Sequence, residues 1–310
     1  MNRRAFVAGS LSLLAVPLAA EAQQAGRVYR IGLLGAGSQM GSELRQAFEQ
    51  SLRERGWVTG ENLVIAYRHA EGQYDRLPAL AAEMVRLEPQ VIVAVPTAAV
   101  RAARDATSTI PIVMLFVSDP IDEGLIASFA RPGGNVTGLT LTPTREIFAK
   151  QLQLLREAVP RAKRIAFLWN PASPTTAGLA SVRIVQEAAR SFGVEQQVVG
   201  ARGPEEIEPA FRAMSQARAD ALLVFIGSLF FTHRGRLADL SGRHRLPTMY
   251  GFGEHAKAGG LMAYGVNIAD AYRQAATYVD KLLRGANPAD LPVEQPTKFE
   301  LVINRASRES

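Results

Sequence analysis

The feature that most constrains this chain is a regular alternation of short β-rich runs with amphipathic helical stretches, which begins at Val28. The run at 29–34 is apolar at nearly every position, a pattern typical of a strand that is covered on both faces. In the stretch that follows, Leu44, Phe48 and Leu52 recur every fourth residue, as they do in an amphipathic helix. Such alternation predicts parallel sheets with helices on both faces, joined by right-handed crossovers.

The alternation runs through two successive sets of strands, which is more than one open sheet needs. Strands are predicted at 29–34, 63–67, 91–95, 112–117 and 136–141, and then at 164–169, 194–199, 221–226, 247–250 and 260–264. We therefore predict an α/β protein of two doubly wound parallel-sheet lobes that divide near Thr142. A last helix at 268–283 and an extended tail would cross between the lobes more than once. The lobes are predicted to comprise 27–141 with 266–292 (lobe 1) and 142–265 with 293–310 (lobe 2).

The N-terminal segment has the three parts of an export signal. Arg3 and Arg4 precede an uncharged run at 5–20, and Ala20-Glu21-Ala22 provides a small-residue cleavage site. Sixteen such residues are too few for a membrane span. We expect cleavage after Ala22 and a periplasmic mature protein. The arginine pair fits a twin-arginine signal, and an ordinary secretory signal that carries two arginines is the alternative.

Composition and motifs exclude several kinds of chemistry. The chain has no cysteine, which removes disulfides, thiolate nucleophiles and cysteine-ligated metals. Its 35 basic and 29 acidic residues are well mixed despite a net charge of +6, so no nucleic-acid surface is indicated. The G-x-S-x-G and P-loop motifs are absent, and the four histidines have no metal-ligand spacing. The loop at 35–41 resembles a dinucleotide fingerprint, but its third glycine falls one position late. We therefore expect no cofactor, no metal and no catalysis.

Small polar residues follow the predicted strands of lobe 1. Ligands of open parallel sheets bind outside the carboxyl ends of the strands, beside helix N-termini. Ser38 follows the first strand, where its loop either lines a cleft or forms a plain turn. Thr97 can cap the helix after the third strand, which would leave N–H groups near Ala98 free for a carboxylate. Ser118 and Asp119 would open the helix after the fourth strand, with Asp119 either a cap or a partner for a ligand ammonium.

Lobe 2 has a similar set of residues at its strand ends. Asn170 and Ser173 follow the first strand of this lobe and offer an amide and a hydroxyl at a helix start. Gly227 follows the strand at 221–226. Tyr250 would either stack on a planar ligand or pack on its own lobe as a rim residue. Because these loops are uncharged apart from Asp119, they favour binding over catalysis.

Several segments of the chain are very similar to one known family. These are IPIVMLFVSDP at 110–120, ARPGGNVTGL at 130–139, GGLMAYG at 259–265 and the tail YVDKLLRGANPADLPVEQPTKFELVIN at 278–304. Over about 30–304 the chain resembles the ABC-transporter substrate-binding family that includes the tryptophan/tyrosine-binding receptors. The resemblance implies the type I periplasmic-binding-protein fold, in which two lobes are joined by three crossings. The match to the family's ligand-binding loops is most secure at Thr97-Ala98, Ser118-Asp119, Asn170 and Tyr250.

The resemblance also implies a function. The expected partners are a small carboxylate-bearing ligand, such as an amino acid or aromatic acid, and an ABC permease in the inner membrane, with the receptor itself a monomer. Family members usually continue after the asparagine equivalent to Asn304 with a further helix and roughly twenty more residues. This chain ends at Ser310, so we expect lobe 2 to lack its last helix and to expose an apolar strip.

Two other functions are compatible with parts of the pattern. An exported α/β hydrolase could have an active site whose residues converge only in space, which scattered histidines do not exclude. The sensor half of a transcription regulator would need a helix-turn-helix ahead of the lobes, where the export signal lies instead. The receptor is the interpretation that the export signal, the paired lobes and the polar loops favour together.

Overall fold

The computed structural model describes residues 27–141, 144–173 and 176–304. The export signal predicted at 1–22, the predicted division at Thr142 and the end of the chain at 305–310 lie outside the described residues.

The strands form two separate sheets. They are β1 (Tyr29–Gly35), β2 (Leu63–His69), β3 (Val91–Val95), β4 (Ile112–Val117), β5 (Val136–Thr140), β6 (Arg164–Trp169), β7 (Glu195–Gly200), β8 (Ala221–Val224), β9 (Thr248–Tyr250), β10 (Met262–Gly265) and β11 (Glu300–Ile303). The first sheet has the order β2-β1-β3-β4-β5 and is parallel throughout. The second has the order β11-β10-β9-β8-β6-β7 and is parallel except for the edge strand β11, which pairs antiparallel with β10. The predicted α/β class with two parallel-dominated sheets is confirmed.

Helices cover both faces of each sheet. They are α1 (Ser42–Arg53), α2 (Leu77–Arg86), α3 (Thr97–Ala106), α4 (Thr144–Ala158), α5 (Thr176–Ser191), α6 (Pro204–Gln216), α7 (Ser228–Thr232), α8 (Arg234–Arg243), α9 (Gly253–Lys257) and α10 (Ile268–Leu283). Alternate residues of β1 enter different cores: Ile31 and Leu33 join the core shared with α1 and α10, whereas Leu34 joins the core shared with α2 and α3. The apolar run at 29–34 is therefore explained by burial on both sides.

Some local elements differ from the prediction, including the short helix α9, which was not predicted. The single helix expected at 234–244 is preceded by a separate short helix, α7, and the two meet at His233. The helix expected to open at Ser118 and Asp119 is replaced by turns, in which the Leu125 N–H donates to Pro120 O at 2.8 Å. Proline and glycine residues between 120 and 134 favour these turns over a helix.

The chain passes between the sheets at three places: between β5 and α4, between β10 and α10, and between the 3-10 turn at Pro288–Asp290 and β11. The third passage is later than predicted, because Val293 and Glu294, assigned to lobe 2 from the sequence, still pair with the first sheet. The Val293 N–H donates to Phe129 O at 2.7 Å, and the Glu294 N–H donates to Gly138 O at 3.0 Å. The passage itself is therefore at 295–299.

Two further features concern the surface. On the edge strand β11, Leu301 and Ile303 are 44% and 48% exposed. Among the residues that the structure describes, no helix combines the length and the apolar character needed to cross a membrane.

Candidate functional site

A cavity of about 150 Å³ lies between the two lobes, where the carboxyl ends of strands from both sheets face each other. On the lobe 1 side it is bounded by the ends of β1, β3 and β4, and on the lobe 2 side by the segments after β6 and β8. Its walls are rich in aromatic rings from both lobes, namely Tyr74, Phe116, Phe225, Phe231, Phe252 and Tyr272. Parallel sheets place their ligand sites at this edge, so the fold itself explains where the cavity is.

Six of the residues predicted to bind ligand line this cavity. They are Ser38, Thr97, Ala98 and Ser118 of lobe 1, and Ser173 and Gly227 of lobe 2. Hydroxyl groups, backbone N–H groups and aromatic rings therefore face the same space, and the lining residues among those described carry no formal charge. Such a site can hold a small, mostly apolar molecule by a few hydrogen bonds.

The N-terminus of α3 lies at the cavity wall. The helix begins at Thr97, but its N-cap is Pro96 and no side chain caps it, so the prediction that Thr97 acts as the cap is wrong. The N–H groups of Thr97 and Ala98 belong to the first turn, which has no acceptors within the helix. Because Pro96 and these two residues line the cavity, the first-turn donors are positioned beside any molecule that enters it.

Tyr250 does not take part in this site, contrary to the prediction. Its side chain is fully buried in lobe 2, its hydroxyl pairs with Ser241 Oγ at 2.9 Å, and its ring stacks on His255 at 4.8 Å between centroids. Burial raises the pKa of Tyr250 to about 12. The position after a strand suggested the rim, but β9 is short and Tyr250 is its last residue, inside the core.

Asn170 and Asp119 also lie outside the cavity lining. Asn170 is 3% exposed, and its side-chain oxygen accepts from the Ala172 N–H at 2.8 Å. It therefore shapes the loop that carries Ser173 to the cavity. Asp119 is exposed, although Pro120 next to it is buried. Partial burial and the neighbouring Asp122 raise the pKa of Asp119.

The two lobes are joined across the mouth of the cavity by side-chain contacts. The Tyr74 hydroxyl of lobe 1 lies beside the hydroxyls of Ser173 and Ser228 of lobe 2. Burial raises the pKa of Tyr74, and the two serine hydroxyls partly oppose this shift. Thr232 Oγ1 accepts from the Ser38 N–H and donates to Ser38 Oγ, each at 3.3 Å. These contacts join lobe 1 to lobe 2 beside the cavity.

A third contact between the lobes is an ion pair. Lys257 Nζ of α9 lies 3.3 Å from Glu43 Oε1 of α1. Both side chains are more than half exposed, so this pair contributes little compared with the hydroxyl contacts.

Most lining residues were missed by the sequence reasoning, and three of these carry a polar ring, namely His69, Tyr74 and Tyr272. His69 is the last residue of β2 and was the one with a local signal, since it follows a predicted strand. Tyr74 lies in the loop after β2, in a short 3-10 turn. Tyr272 is on α10, which lies more than 130 residues later in the chain than the other segments of lobe 1 that line the cavity. No local sequence pattern indicates that it reaches the site.

In the ranges 27–141, 144–173 and 176–304, no three histidine, aspartate or glutamate side chains come together in a way that could hold a metal ion.

Comparison with known proteins supports one family. The family model for "ABC transporter substrate binding protein" matches residues 39–310. A curated relative, the tyrosine-binding protein of Clostridioides difficile strain R20291, is 25% identical over 260 residues, which cover 84% of this chain and 74% of the relative.

Two solved structures share the fold. A conserved domain protein from Vibrio cholerae superposes with a TM-score of 0.83 at 24% identity, and an ABC domain from Streptococcus pneumoniae in complex with L-Trp superposes with a TM-score of 0.80 at 22% identity. Each comparison covers 91% of this chain and 94% of the other. Since the family match spans most of the chain, the protein belongs to the ABC transporter substrate-binding protein family.

Proposed function

We propose that the protein is the solute receptor of an ABC importer, which closes on a small aromatic molecule that bears a carboxylate. The observation that carries the proposal is the cavity between the lobes, with rings on its walls and first-turn N–H groups of α3 at its edge. An engineered apolar cavity of about 150 Å³ is known to hold benzene, so this volume suits a ligand with one aromatic ring.

The polar groups of the cavity indicate how the carboxylate would be held. Backbone N–H groups at a helix N-terminus attract anions through the helix dipole and through their free hydrogen-bonding capacity. Thr97 and Ala98 present such groups, and the hydroxyls of Ser38 and Ser118 lie on the same wall. An amino acid or an aromatic acid fits this arrangement, in line with the tyrosine and L-Trp in the names of two similar proteins.

Binding would be coupled to closure of the lobes. The ligand would contact Phe116 on one side and Phe225 and Phe231 on the other, so burial of its ring requires both lobes. A molecule that binds the closed form better shifts the population toward it. The protein's membership of a substrate-binding protein family also favours a receptor over the alternative of an exported α/β hydrolase.

The test is a ligand screen followed by titration calorimetry. The thermal unfolding of the purified protein is measured with each aromatic amino acid and with phenylacetate, benzoate and indole-3-acetate. A ligand at 100 times its Kd should raise the free energy of unfolding by about 2.7 kcal/mol. Ser118→Leu places a larger side chain at the cavity wall and should abolish binding. Asp119→Asn, at the adjacent exposed position, should leave the affinity unchanged and serves as the matched control.

Two outcomes would contradict the proposal. One is a melting temperature that is insensitive to every compound of the panel. The other is conversion of a bound compound into a product, which mass spectrometry of the recovered ligand would detect.

We further propose that the receptor is exported to the periplasm, acts as a monomer and delivers its ligand to a membrane permease. The support is the signal pattern at 1–22 and the family assignment. Expression in a Gram-negative host followed by N-terminal sequencing of the periplasmic fraction should give a chain that begins at Gln23. Light scattering should give the mass of one mature chain. Protein that remains in the cytoplasm with Met1 in place would refute the export.

A further inference from the structure

Basic side chains are concentrated at one edge of the second sheet, opposite the cavity. Strands β6 to β9 are parallel, so the loops that precede them lie together at the amino ends of the strands, whereas the carboxyl ends face the cavity. Six exposed cations come from these loops and from the helix ends that lead into them: Arg161, Lys163, Arg190, Arg218, Arg243 and Arg245. This surface is referred to below as the basic edge.

The six residues form one continuous surface because their strands are neighbours. These four strands have the order β9-β8-β6-β7, and adjacent strands are about 4.8 Å apart, so the loops of the basic edge span about 14 Å. The residues are far apart in the sequence, which is why positive and negative charges look well mixed along the chain. Folding brings the positive ones together.

The carboxylates of the same loops and helix ends have contacts of their own. Glu195 pairs with Arg164 at 2.8 Å, and Asp220 accepts from two backbone N–H groups at 2.8 Å each. Glu157 accepts from Gln153 Nε2 at 2.8 Å. None of the six cations forms an ion pair with any residue in the described part of the chain. The basic edge therefore carries an excess of positive charge that faces solvent.

The helix dipoles explain only part of this charge. Basic residues in a last turn interact favourably with the dipole, which accounts for Arg190 and Arg243. Arg218 and Arg245 instead follow α6 and α8 in the left-handed conformation, with φ of 56° and 53°. Helices most often place glycine there, because it has no Cβ. In lobe 1 the residue at the corresponding place after α2 is Glu88, so this conformation does not itself require a positive charge.

We propose that the basic edge binds the surface of a bilayer that contains anionic phospholipids. Such a surface attracts clusters of basic residues over about one Debye length, without a pocket or a fixed geometry. Ile303 is 48% exposed and pairs with Met262 at the start of β10, so an apolar side chain lies at the same edge of the sheet. An apolar residue beside basic ones suits the interface of a bilayer. An ABC transporter is embedded in a membrane, so a bilayer is the anionic surface that its substrate-binding protein meets.

Contact through the basic edge leaves the cavity unobstructed, because the two lie at opposite ends of the same strands. A receptor held at a membrane in this way would still capture its ligand from solution. This lipid contact goes beyond the proposed function and does not depend on which ligand the cavity binds.

The test is co-sedimentation with vesicles. The chain that begins at Gln23 is used, since the basic and apolar segment before it would bind lipid by itself, and this chain contains every residue that the structure describes. Vesicles of phosphatidylcholine that contain about 40% phosphatidylglycerol should bind the protein at about 25 mM salt. Binding should be at least tenfold weaker to pure phosphatidylcholine, and also at about 250 mM salt, where the charges are screened.

Two double variants test the residues. Arg218→Gly with Arg245→Gly removes two charges and supplies the residue preferred at both left-handed positions, so the melting temperature should be equal or higher. Each basic residue near an anionic surface contributes about fivefold to binding, so this pair should weaken binding about 25-fold. Arg161→Gln with Lys163→Gln should have a similar effect.

The control is Arg53→Gln with Arg86→Gln, which removes two exposed arginines from lobe 1 and changes the net charge by the same amount. It should bind the mixed vesicles as the wild-type protein does. An equal loss in this control would show that net charge alone is responsible and would overturn the basic edge as a lipid-binding surface. Absence of binding to the mixed vesicles at low salt, binding that survives both test variants, or binding to duplex DNA in place of vesicles would overturn it as well. The proposed function is tested separately by the ligand screen.

Discussion

The contact of Tyr74 with Ser173 and Ser228 gives a direct test of how the lobes are kept together. This hydroxyl joins the lobes across the cavity mouth, and Tyr74→Phe removes it while keeping the ring. In the open form each of the three hydroxyls would find water instead. We therefore expect the substitution to destabilise the closed form relative to the open form, without changing the fold of either lobe.

The expected change in the free-energy difference between the open and closed forms follows from the number of contacts that Tyr74→Phe removes. A hydrogen bond contributes about 0.5–1.5 kcal/mol net, so two such contacts give about 1–3 kcal/mol in total. Because Tyr74 is half-buried, the lower part of this range applies, and we expect about 1–2 kcal/mol. At about 1.4 kcal/mol per factor of ten, the ratio of open to closed protein should rise about 5- to 30-fold.

The assay does not require a ligand. The chain has no cysteine, so a pair introduced by Ala82→Cys on α2 and Ala180→Cys on α5 can be spin-labelled selectively. Both positions are exposed, one on each lobe. Pulsed electron paramagnetic resonance then gives the distribution of distances between the lobes, and Tyr74→Phe should increase the population at the longer distance.

A matched control distinguishes the loss of the Tyr74 contact between the lobes from the loss of any tyrosine hydroxyl. Tyr278 donates to Pro292 O at 2.7 Å, a contact that lies within lobe 1. Tyr278→Phe should leave the distance distribution unchanged. An open-to-closed ratio that is the same in the wild-type protein and in Tyr74→Phe would refute the reasoning, as would an equal increase in the control.

Three further predictions concern stability. Gly138→Ala should lower the free energy of unfolding in urea by about 2–4 kcal/mol, because φ at this position is +125° and the new Cβ would lie 2.4 Å from Met114 O. A loss below about 1 kcal/mol would contradict this geometry. Burial lowers the pKa of His255 to about 4 from the ordinary 6.5, so the unfolded chain takes up this proton first as the pH falls. Stability should therefore drop by up to about 3 kcal/mol between pH 6.5 and 4, and His255→Gln should show a shallower pH dependence. Leu301→Ser, on the exposed side of β11, should change stability by less than about 0.5 kcal/mol, and a larger loss would show that this side chain is covered in solution.

The fold was largely predictable because its signals are local. The apolar run of β1 and the four-residue spacing of Leu44, Phe48 and Leu52 report directly which faces are buried. One error is at a place where distant contacts decide. Val293 and Glu294 stay with the first sheet because they pair with 129 and 138, and nothing in their own neighbourhood shows this.

The site was predictable in part for the same reason. The carboxyl ends of parallel strands must meet at one edge, and this brought Ser38, Thr97 and Ser118 to the cavity. The rule places a residue at the edge but does not say whether the side chain points into the cavity, into the core or into solvent. Tyr250, the last residue of β9, points into the core, and Asp119, which comes after β4, faces solvent.

Sequence by itself determined the class of the fold, the number of sheets and the edge at which the cavity lies, because periodicity and strand polarity are properties of short segments. Tertiary structure alone decided which side chains share the cavity. Tyr272 reaches it from a helix near the end of the chain, and Tyr74 lies beside serines about 100 and 150 residues away. Contacts between segments so far apart depend on how the two lobes pack, which no local pattern encodes.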